Sequence, residues 1–433
     1  MATYAVDGLL ALATSALIAQ QLGPEGRGAY GLFVLSAALG AMILGLGIGN
    51  ATIYYLNKGE LSVREALAAA HTVTLGAALV SALCVAAIAP WAGGAVFGND
   101  VSPWLLIAAI PAILYLQLLR LLLQGLNRFV DLGVTTVGQQ AVLLTLVTAS
   151  ILLADPTATT FVVMLIGASA AASLYALLRL GLGHVDLGTV LPPRWDVLRR
   201  LARFGVQGEA GNVLQLLNYR MDQYLVRAFV SLAGVGIYAV AASLTEGVFI
   251  IANAVALVLM PRLTSADPEE AAWIAPVAAR NTVLVATGVS IAMAVLAPVL
   301  IPPIFGQAFE DSVQALWLLL PGTVALAGSK VLTSYIFSQG RPLVNTAITG
   351  VGLVVTIAAD LALIPWLGVN GAAVASSLAY ITHLAAALFA YRRISGQPAL
   401  EALLPRPRDA RLYADALRGL RARVSGGPQL AGH

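Results

Sequence analysis

Charge is what this chain has least of. Only 10% of its 433 residues are Asp, Glu, Lys or Arg, while 59% are hydrophobic; a soluble domain carries about 25% charged residues. That excludes an ordinary soluble globular protein and leaves a polytopic membrane protein. Cysteine is nearly absent: Cys84 stands alone in a hydrophobic run, which excludes an internal disulfide framework and any cysteine metal site. Lysine occurs only as Lys58 and Lys330, so the basic residues are almost all arginine, a mark of genomic base composition. There is no Walker A pattern, no nucleophile elbow and no His/Glu/Asp set at metal-ligand spacing. The connections between apolar stretches are too short for the external acceptor domain of a sugar polymerase or glycosyltransferase. These absences point to a protein that is not an enzyme and needs no cofactor or metal. A net charge of +3 gives no reason to expect a nucleic-acid partner.

What is there is a series of apolar stretches of about 20 residues, the length of a bilayer-spanning helix. Twelve begin near Thr3, Tyr30, Ala66, Pro103, Leu132, Thr157, Phe204, Val235, Ala272, Val313, Leu343 and Gly371. Met1–Leu22 has no basic leader and reads as a membrane helix, not a cleaved signal. Basic residues set orientation. One side of the alternation takes Lys58, Arg64, Arg128, Arg179, Arg194, Arg199, Arg200, Arg203, Arg262, Arg280 and Arg341; the other takes Arg27 and Arg227. Both termini are therefore expected in the cytoplasm. The expected organisation is an N-terminal lobe over 1–182, a cytoplasmic linker over 183–203, a C-terminal lobe over 204–393 and a basic tail over 394–433. In the tail Leu412, Ala416, Leu417, Leu420 and Val424 recur among arginines. It reads equally as a solvated segment or as an amphipathic helix on the anionic inner leaflet.

The two halves echo each other. Gly28-Ala29-Tyr30 joins the first two spans, and Gly236-Ile237-Tyr238 opens the eighth. Phe97-Gly98 and Phe305-Gly306 end the third and ninth. Pro111 and Arg120 in the fourth span parallel Pro321 and Lys330 in the tenth, and Gln124-Gly125 parallels Gln339-Gly340. Six spans per half is an even number, so the halves enter the membrane from the same side, a parallel repeat.

The stretch Arg203–Arg227 is the most informative. At about 100° per residue, Glu209, Asn212, Arg220 and Gln223 fall on one side, and Gln215, Asn218 and Asp222 continue that arc. Val213, Leu214, Leu217, Met221, Tyr224 and Leu225 fill the opposite stripe. A charge facing hydrocarbon costs roughly 2.5–3.5 kcal/mol even on the lenient scale, so the polar arc must face protein or a wet cavity. Arg220 and Asp222 lie about 200° apart and cannot neutralise each other locally. Further membrane-embedded charges are Asp7, Arg120, Glu246, Lys330 and Asp360, the last on a stripe with Asn345, Thr349 and Thr356. His383 is read as a hydrogen-bonding group between helices.

On Gln20-Gln21-Leu22-Gly23-Pro24-Glu25-Gly26-Arg27-Gly28-Ala29-Tyr30, Tyr219-Arg220-Met221-Asp222-Gln223-Tyr224, Val235-Gly236-Ile237-Tyr238, Phe305-Gly306-Gln307-Ala308-Phe309, Leu320-Pro321-Gly322 and Gly368-Val369-Asn370-Gly371, the chain resembles the polysaccharide-transport branch of the multidrug/oligosaccharidyl-lipid/polysaccharide exporter superfamily. The resemblance implies an all-α integral membrane fold of about twelve helices, in two six-helix lobes around a central cavity. It implies export of lipid-diphosphate-linked sugars by rocking of the lobes. On that footing Arg220, Lys330, Arg120, Gln215 and Asn218 are the expected cavity residues for a polyprenyl-diphosphate-linked glycan. Asp222, Glu246, Glu209, Asp360 and Asp7 are expected to balance charge or couple an ion. Membrane lipids and the glycan polymerase or export machinery are the other expected partners. A cation-coupled multidrug antiporter of the same fold and a non-transporting scaffold of a polysaccharide-assembly complex are the alternatives.

Overall fold

The computed structural model describes residues 2–184 and 195–398; most of the basic tail and of the linker between the halves lies outside them. Within hydrocarbon each backbone N–H and C=O must be bonded inside its own segment, and the described chain is accordingly helical. The helices are α1 (Ala2–Gly45), α2 (Ile48–Asn57), α3 (Val63–Phe97), α4 (Leu106–Gly125), α5 (Phe129–Leu153) and α6 (Ala158–His184), then α7 (Trp195–Phe229), α8 (Leu232–Ser265), α9 (Pro268–Phe305), α10 (Asp311–Ser338), α11 (Pro342–Leu367) and α12 (Val369–Ser395).

Ten of these helices are long and apolar enough to cross a membrane. The α1 stretch holds two of the expected spans. Gly23 sits in the middle with φ 64° and ψ −175°, outside helical geometry, and Pro24 follows it. Glycine reaches positive φ without a Cβ clash, and proline suits the first position of the next helix. Arg27 Nη2 donates to Ser15 Oγ at 3.1 Å. Twelve residues of straight helix would separate those residues by about 18 Å, so the chain folds back at Gly23. The second arm then breaks again at Leu46 and Gly47, both at positive φ, before α2 completes it. The α7 helix falls outside the ten because its polar arc lowers its hydropathy. With these two added, the twelve expected spans are accounted for.

Local signals behave as their chemistry requires. Ser62 and Glu65 form a reciprocal capping box at the start of α3. The paired Phe-Gly steps both end helices, α3 at Gly98 (φ 67°) and α9 at Gly306 (φ 109°). Arg128 and Arg179, expected on one membrane side, both meet Asp131 at 2.7 Å. Arg200 donates to the Glu60 carbonyl. Arg227, expected on the other side, donates to the Val96 carbonyl.

The contacts divide into two compact units. The first comprises Met1–Ala242, Ala297–Leu316 and Thr356–Ser376; the second comprises Ser243–Leu296, Trp317–Val355 and Ser377–His433. The first unit therefore contains α1–α7 together with the ends of α8–α12 nearest the α7–α8, α9–α10 and α11–α12 turns. Its core includes Ile48, Leu67, Leu114, Leu119, Leu180 and Leu201. The second unit has its own core around Leu263, Ala275, Tyr335, Ile336 and Tyr391, with the Tyr391 hydroxyl on the Ala272 carbonyl at 2.7 Å.

Inside the first unit α1 and α8 touch backbone to backbone. A methyl group at Gly28 would overlap the Leu232 carbonyl oxygen, and one at Gly236 would overlap that of Pro24. Small residues are what permit such approach between membrane helices. Replacing Gly28 or Gly236 by Ala is expected to cost about 1–3 kcal/mol or more, because backbone cannot move aside as a side chain can. Gly167→Ala, where nothing lies within 4 Å, should be near neutral. Thermal unfolding of the three variants in detergent checks this; equal midpoints would refute the close contact.

Candidate functional site

Part of the polar arc of α7 is buried. Glu209, Asn218, Asp222 and Gln223 are buried, while Asn212 is exposed, and Gln215, Arg220 and the opposite stripe's Leu214, Leu217 and Tyr224 are partly exposed. Helical periodicity alone sets this division, since residues four apart share a face.

Asn218 and Asp222, one turn apart on that face, organise a polar constellation in the first unit. Asp222 is 1% exposed. Its Oδ2 accepts from the Tyr238 hydroxyl of α8 and from the Ser376 hydroxyl of α12 at 3.0 Å. Its Oδ1 accepts from the Gln223 backbone N–H at 2.8 Å. Tyr238 and Ser376 also bond each other at 3.1 Å. A turn below, the Thr356 hydroxyl of α11 donates to Asn218 Oδ1 at 3.3 Å.

Asp360, one turn beyond Thr356 on α11, is 0% exposed, and among the described residues neither carboxylate oxygen has a hydrogen-bond partner. It lies close enough to Asp222 for the two acids to feel each other's charge. Buried polar groups are almost always bonded, and an uncompensated buried charge is among the costliest features a protein can hold. Two carboxylates, an amide oxygen and three hydroxyls therefore converge from four helices with no basic group among the hydrogen-bond partners of the two acids. An all-oxygen set of this kind takes a proton or a hard cation.

The other expected residues fall into separate neighbourhoods. Arg220 is partly exposed and lies within electrostatic range of both Asp222 and Arg27. Arg27 stacks its guanidinium 5.8 Å over the Tyr30 ring, and its buried Nε has no partner. Gln215 stands on the same helix, partly buried. Glu209 accepts from Asn212 Nδ2 at 3.1 Å and lines a small cavity with Gly47, Asn50 and Gln117; it is thirteen residues from Asp222, about 20 Å along the helix. Arg120 donates to Gln139 Oε1 at 2.6 Å and to the Thr135 carbonyl at 3.2 Å, and Asp7 is its charged neighbour. Gln139 passes the chain on to Ser169 at 3.0 Å. In the second unit Lys330 donates to Asn253 Oδ1 at 2.9 Å, sits 4.8 Å over the Phe249 ring and has Glu246 as its charged neighbour. There Ser329 and His383 Nδ1 bond at 2.7 Å.

Sequence reasoning missed Arg27, Tyr238, Ser376 and Gln139 as site residues. Arg27 was assigned to a turn, although Gly23-Pro24 signals a helix restarting just before it. Gln139 and Gln140 are adjacent amides in an apolar span, a costly pairing that marked the fifth helix as polar on one side.

A family model described as polysaccharide biosynthesis protein matches residues 17–314. Among solved structures, an inward-facing multidrug resistance MATE family transporter of the MOP superfamily aligns with a TM-score of 0.73 at 17% identity, over 90% of this chain and 95% of that one. The lipid II flippase MurJ in an inward closed conformation aligns with a TM-score of 0.72 at 12% identity, over 99% of this chain and 93% of that one. The Vibrio cholerae MATE transporter VcmN, at 15% identity and a TM-score of 0.62, aligns over 91% and 96%. A search of curated proteins gives no match. The likenesses establish the fold of a multi-pass membrane protein.

The two buried acids should respond in opposite directions. Asp222→Asn places an NH2 group among donors and is expected to lose about 1–3 kcal/mol of stability. Asp360→Asn removes a charge that nothing holds and is expected to raise the thermal midpoint. A fall for both variants in detergent melts would mean that Asp360 has a bonding partner in solution.

Proposed function

Because the chain belongs to the polysaccharide biosynthesis protein family, we propose that it carries a lipid-linked oligosaccharide or polysaccharide precursor across the plasma membrane. The movement is alternating access by two six-helix lobes, 1–182 and 204–393, with both termini in the cytoplasm. The cargo's lipid tail stays in the bilayer while its diphosphate and sugars cross through the protein.

The observation that carries this reading is the pairing of Arg27 and Arg220. Two guanidinium groups lie within electrostatic range of each other, on helices α1 and α7, and their like charges repel even with Asp222 within range of Arg220. A diphosphate reconciles them, since guanidinium presents a fork of donors matched to phosphate oxygens. Lys330, with Asn253 and Glu246 around it, is a separate cation of the second unit. Arg120, already committed to Gln139 and the Thr135 carbonyl, supports the first unit's interior and contacts cargo less directly than Arg220. Gln215 offers an amide to sugar hydroxyls; Asn218 belongs with the carboxylates.

Asp222 and Asp360 supply the coupling. A proton or alkali-metal ion bound between them relieves their repulsion and draws α7, α8, α11 and α12 together; its release loosens the same four helices. A ligand that favours one arrangement shifts the equilibrium by its difference in affinity for the two. Glu246 serves Lys330 locally, Asp7 serves Arg120, and Glu209 serves the inner part of α7.

Arg27→Gln and Arg220→Gln should each reduce export at least tenfold while the protein still inserts at normal levels. The measurement is complementation of a depleted native strain, with polyprenyl-linked sugars assayed on each leaflet. Accumulation on the inner leaflet supports the reading. Normal export by both variants defeats it, and unchanged lipid intermediates on depletion would favour a multidrug antiporter instead. Tolerance of neutral replacements at Asp222 and Asp360 together with both arginines would leave only a scaffold.

A further inference from the structure

At the opposite end of α7 from Asp222 lies a second cationic feature. An open-sided cavity of about 720 Å³ is lined by Tyr55 of α2 and by Arg199, Arg200, Arg203, Phe204 and Gln207 of α7. Positions 196, 199, 200, 203 and 207 share one helical face, so the basic residues stand in a row, with Asp196 at its start. Arg200 is fixed: its guanidinium lies 4.8 Å over the Tyr55 ring, and it bonds the Glu60 carbonyl at 3.1 Å, with a loose ion pair to Glu60 at 3.9 Å. Phe204 stacks on Tyr54 at 4.6 Å, and Lys58 Nζ sits 4.6 Å from the centre of the Tyr54 ring. Arg199 and Arg203 are exposed, and among the described residues neither has an ion-pair or hydrogen-bond partner. Among the described residues the lining carries three arginines and one acid, Asp196, with Glu60 beside Arg200.

The rim is apolar as well as basic. Trp195 is 76% exposed and Phe204 38%. Trp beside Arg at the end of a membrane span is the composition of a headgroup-level anchor, and the positive-inside bias puts this end at the inner leaflet. The inner leaflet carries anionic lipid, which attracts basic clusters lying against it. A soluble anion would need only the arginines; the exposed aromatic rim has a use when the anion is tethered to acyl chains.

We propose that the cavity between α2 and the first turns of α7 binds the phosphate headgroup of an anionic phospholipid of the inner leaflet. Arg199 and Arg203 contact the phosphate, Arg200 and Tyr55 form the floor, and Trp195 and Phe204 lie along the glycerol and upper acyl chains. This site is distinct from the Arg27–Arg220 pair and does not depend on the cargo assigned to that pair. A lipid there ties α2 to α7, the contact at which the first half meets the start of the second.

The test uses the purified full chain in nanodiscs of phosphatidylcholine mixed with phosphatidylglycerol, followed by native mass spectrometry of the lipids retained. Wild type should keep phosphatidylglycerol in preference to phosphatidylcholine. Arg199→Gln with Arg203→Gln should cut that preference by an order of magnitude or more, at roughly fivefold per charge. Arg199→Lys with Arg203→Lys should preserve most of it, and Arg341→Gln should leave it unchanged. Thermal midpoints identify any variant that loses lipid by failing to fold, in which case the lysine pair decides. Retention of phosphatidylglycerol by the glutamine pair at the wild-type level overturns the proposal. So does equal loss from Arg341→Gln, or a site that retains a polyprenyl diphosphate but not phosphatidylglycerol, which would assign it to the cargo.

Discussion

A carboxylate sealed from water has to be held by something, and Asp222 is held by hydroxyls. Tyr238 and Ser376 reach it from α8 and α12, and the backbone of Gln223 closes the remaining side. This is the interaction on which the first unit's architecture turns. It binds the first helix of the second half to that half's second and last helices. It also places a charge where Asp360, on a fourth helix, cannot avoid it. Hydroxyl donors are weak stabilisers of an anion beside an arginine. A constellation built from them tolerates protonation or a bound cation in a way that an ion pair would not.

The contrast with Asp131 makes the point. That acid is also buried, but two arginines meet it at 2.7 Å, and it clasps α5 to α6 with charge, hydrogen bonding and geometry all satisfied. Nothing is left for a ligand to improve. Asp360 is the reverse case: among the described residues neither of its carboxylate oxygens is bonded, and buried need of that kind is where binding energy is available.

Much of the fold was legible in sequence because the bilayer imposes few alternatives. Apolar runs give the spans, and the 100° period gives the side of α7 on which Glu209, Asn218, Asp222 and Gln223 are buried. Charged positions were equally legible: Asp222, Asp360, Lys330 and Glu246 were conspicuous because each is expensive where it stands. Their partners were not. Tyr238 and Ser376 are unremarkable residues in apolar helices, and only the packing of α7 against α8 and α12 gives them a role. The pairing of Asp7 with Arg120, through α1, α4 and α5, is likewise a tertiary fact with no local signature. Arg27 was visible but misplaced, because hydropathy reads Gly-Pro-Glu-Gly-Arg as a loop while the backbone resumes its helix at Pro24.

The repeated Gly-x-Tyr signature carries the argument further. In each half a glycine lies against the other half's backbone, Gly28 on Leu232 and Gly236 on Pro24, so the repeats touch through the same device used twice. Two residues on, the tyrosines diverge. Tyr30 sits beneath the Arg27 guanidinium, whereas Tyr238 gives its proton donor to Asp222. One ring face stabilises a cation; one hydroxyl stabilises an anion. Under the proposed function Arg27 serves the anionic cargo and Asp222 the coupling cation. Because Gly28 and Gly236 hold α1 and α8 in backbone contact, a cation that displaced α8 at Asp222 would displace α1 and Arg27 with it, which is the physical route by which an ion gradient would act on an anionic cargo.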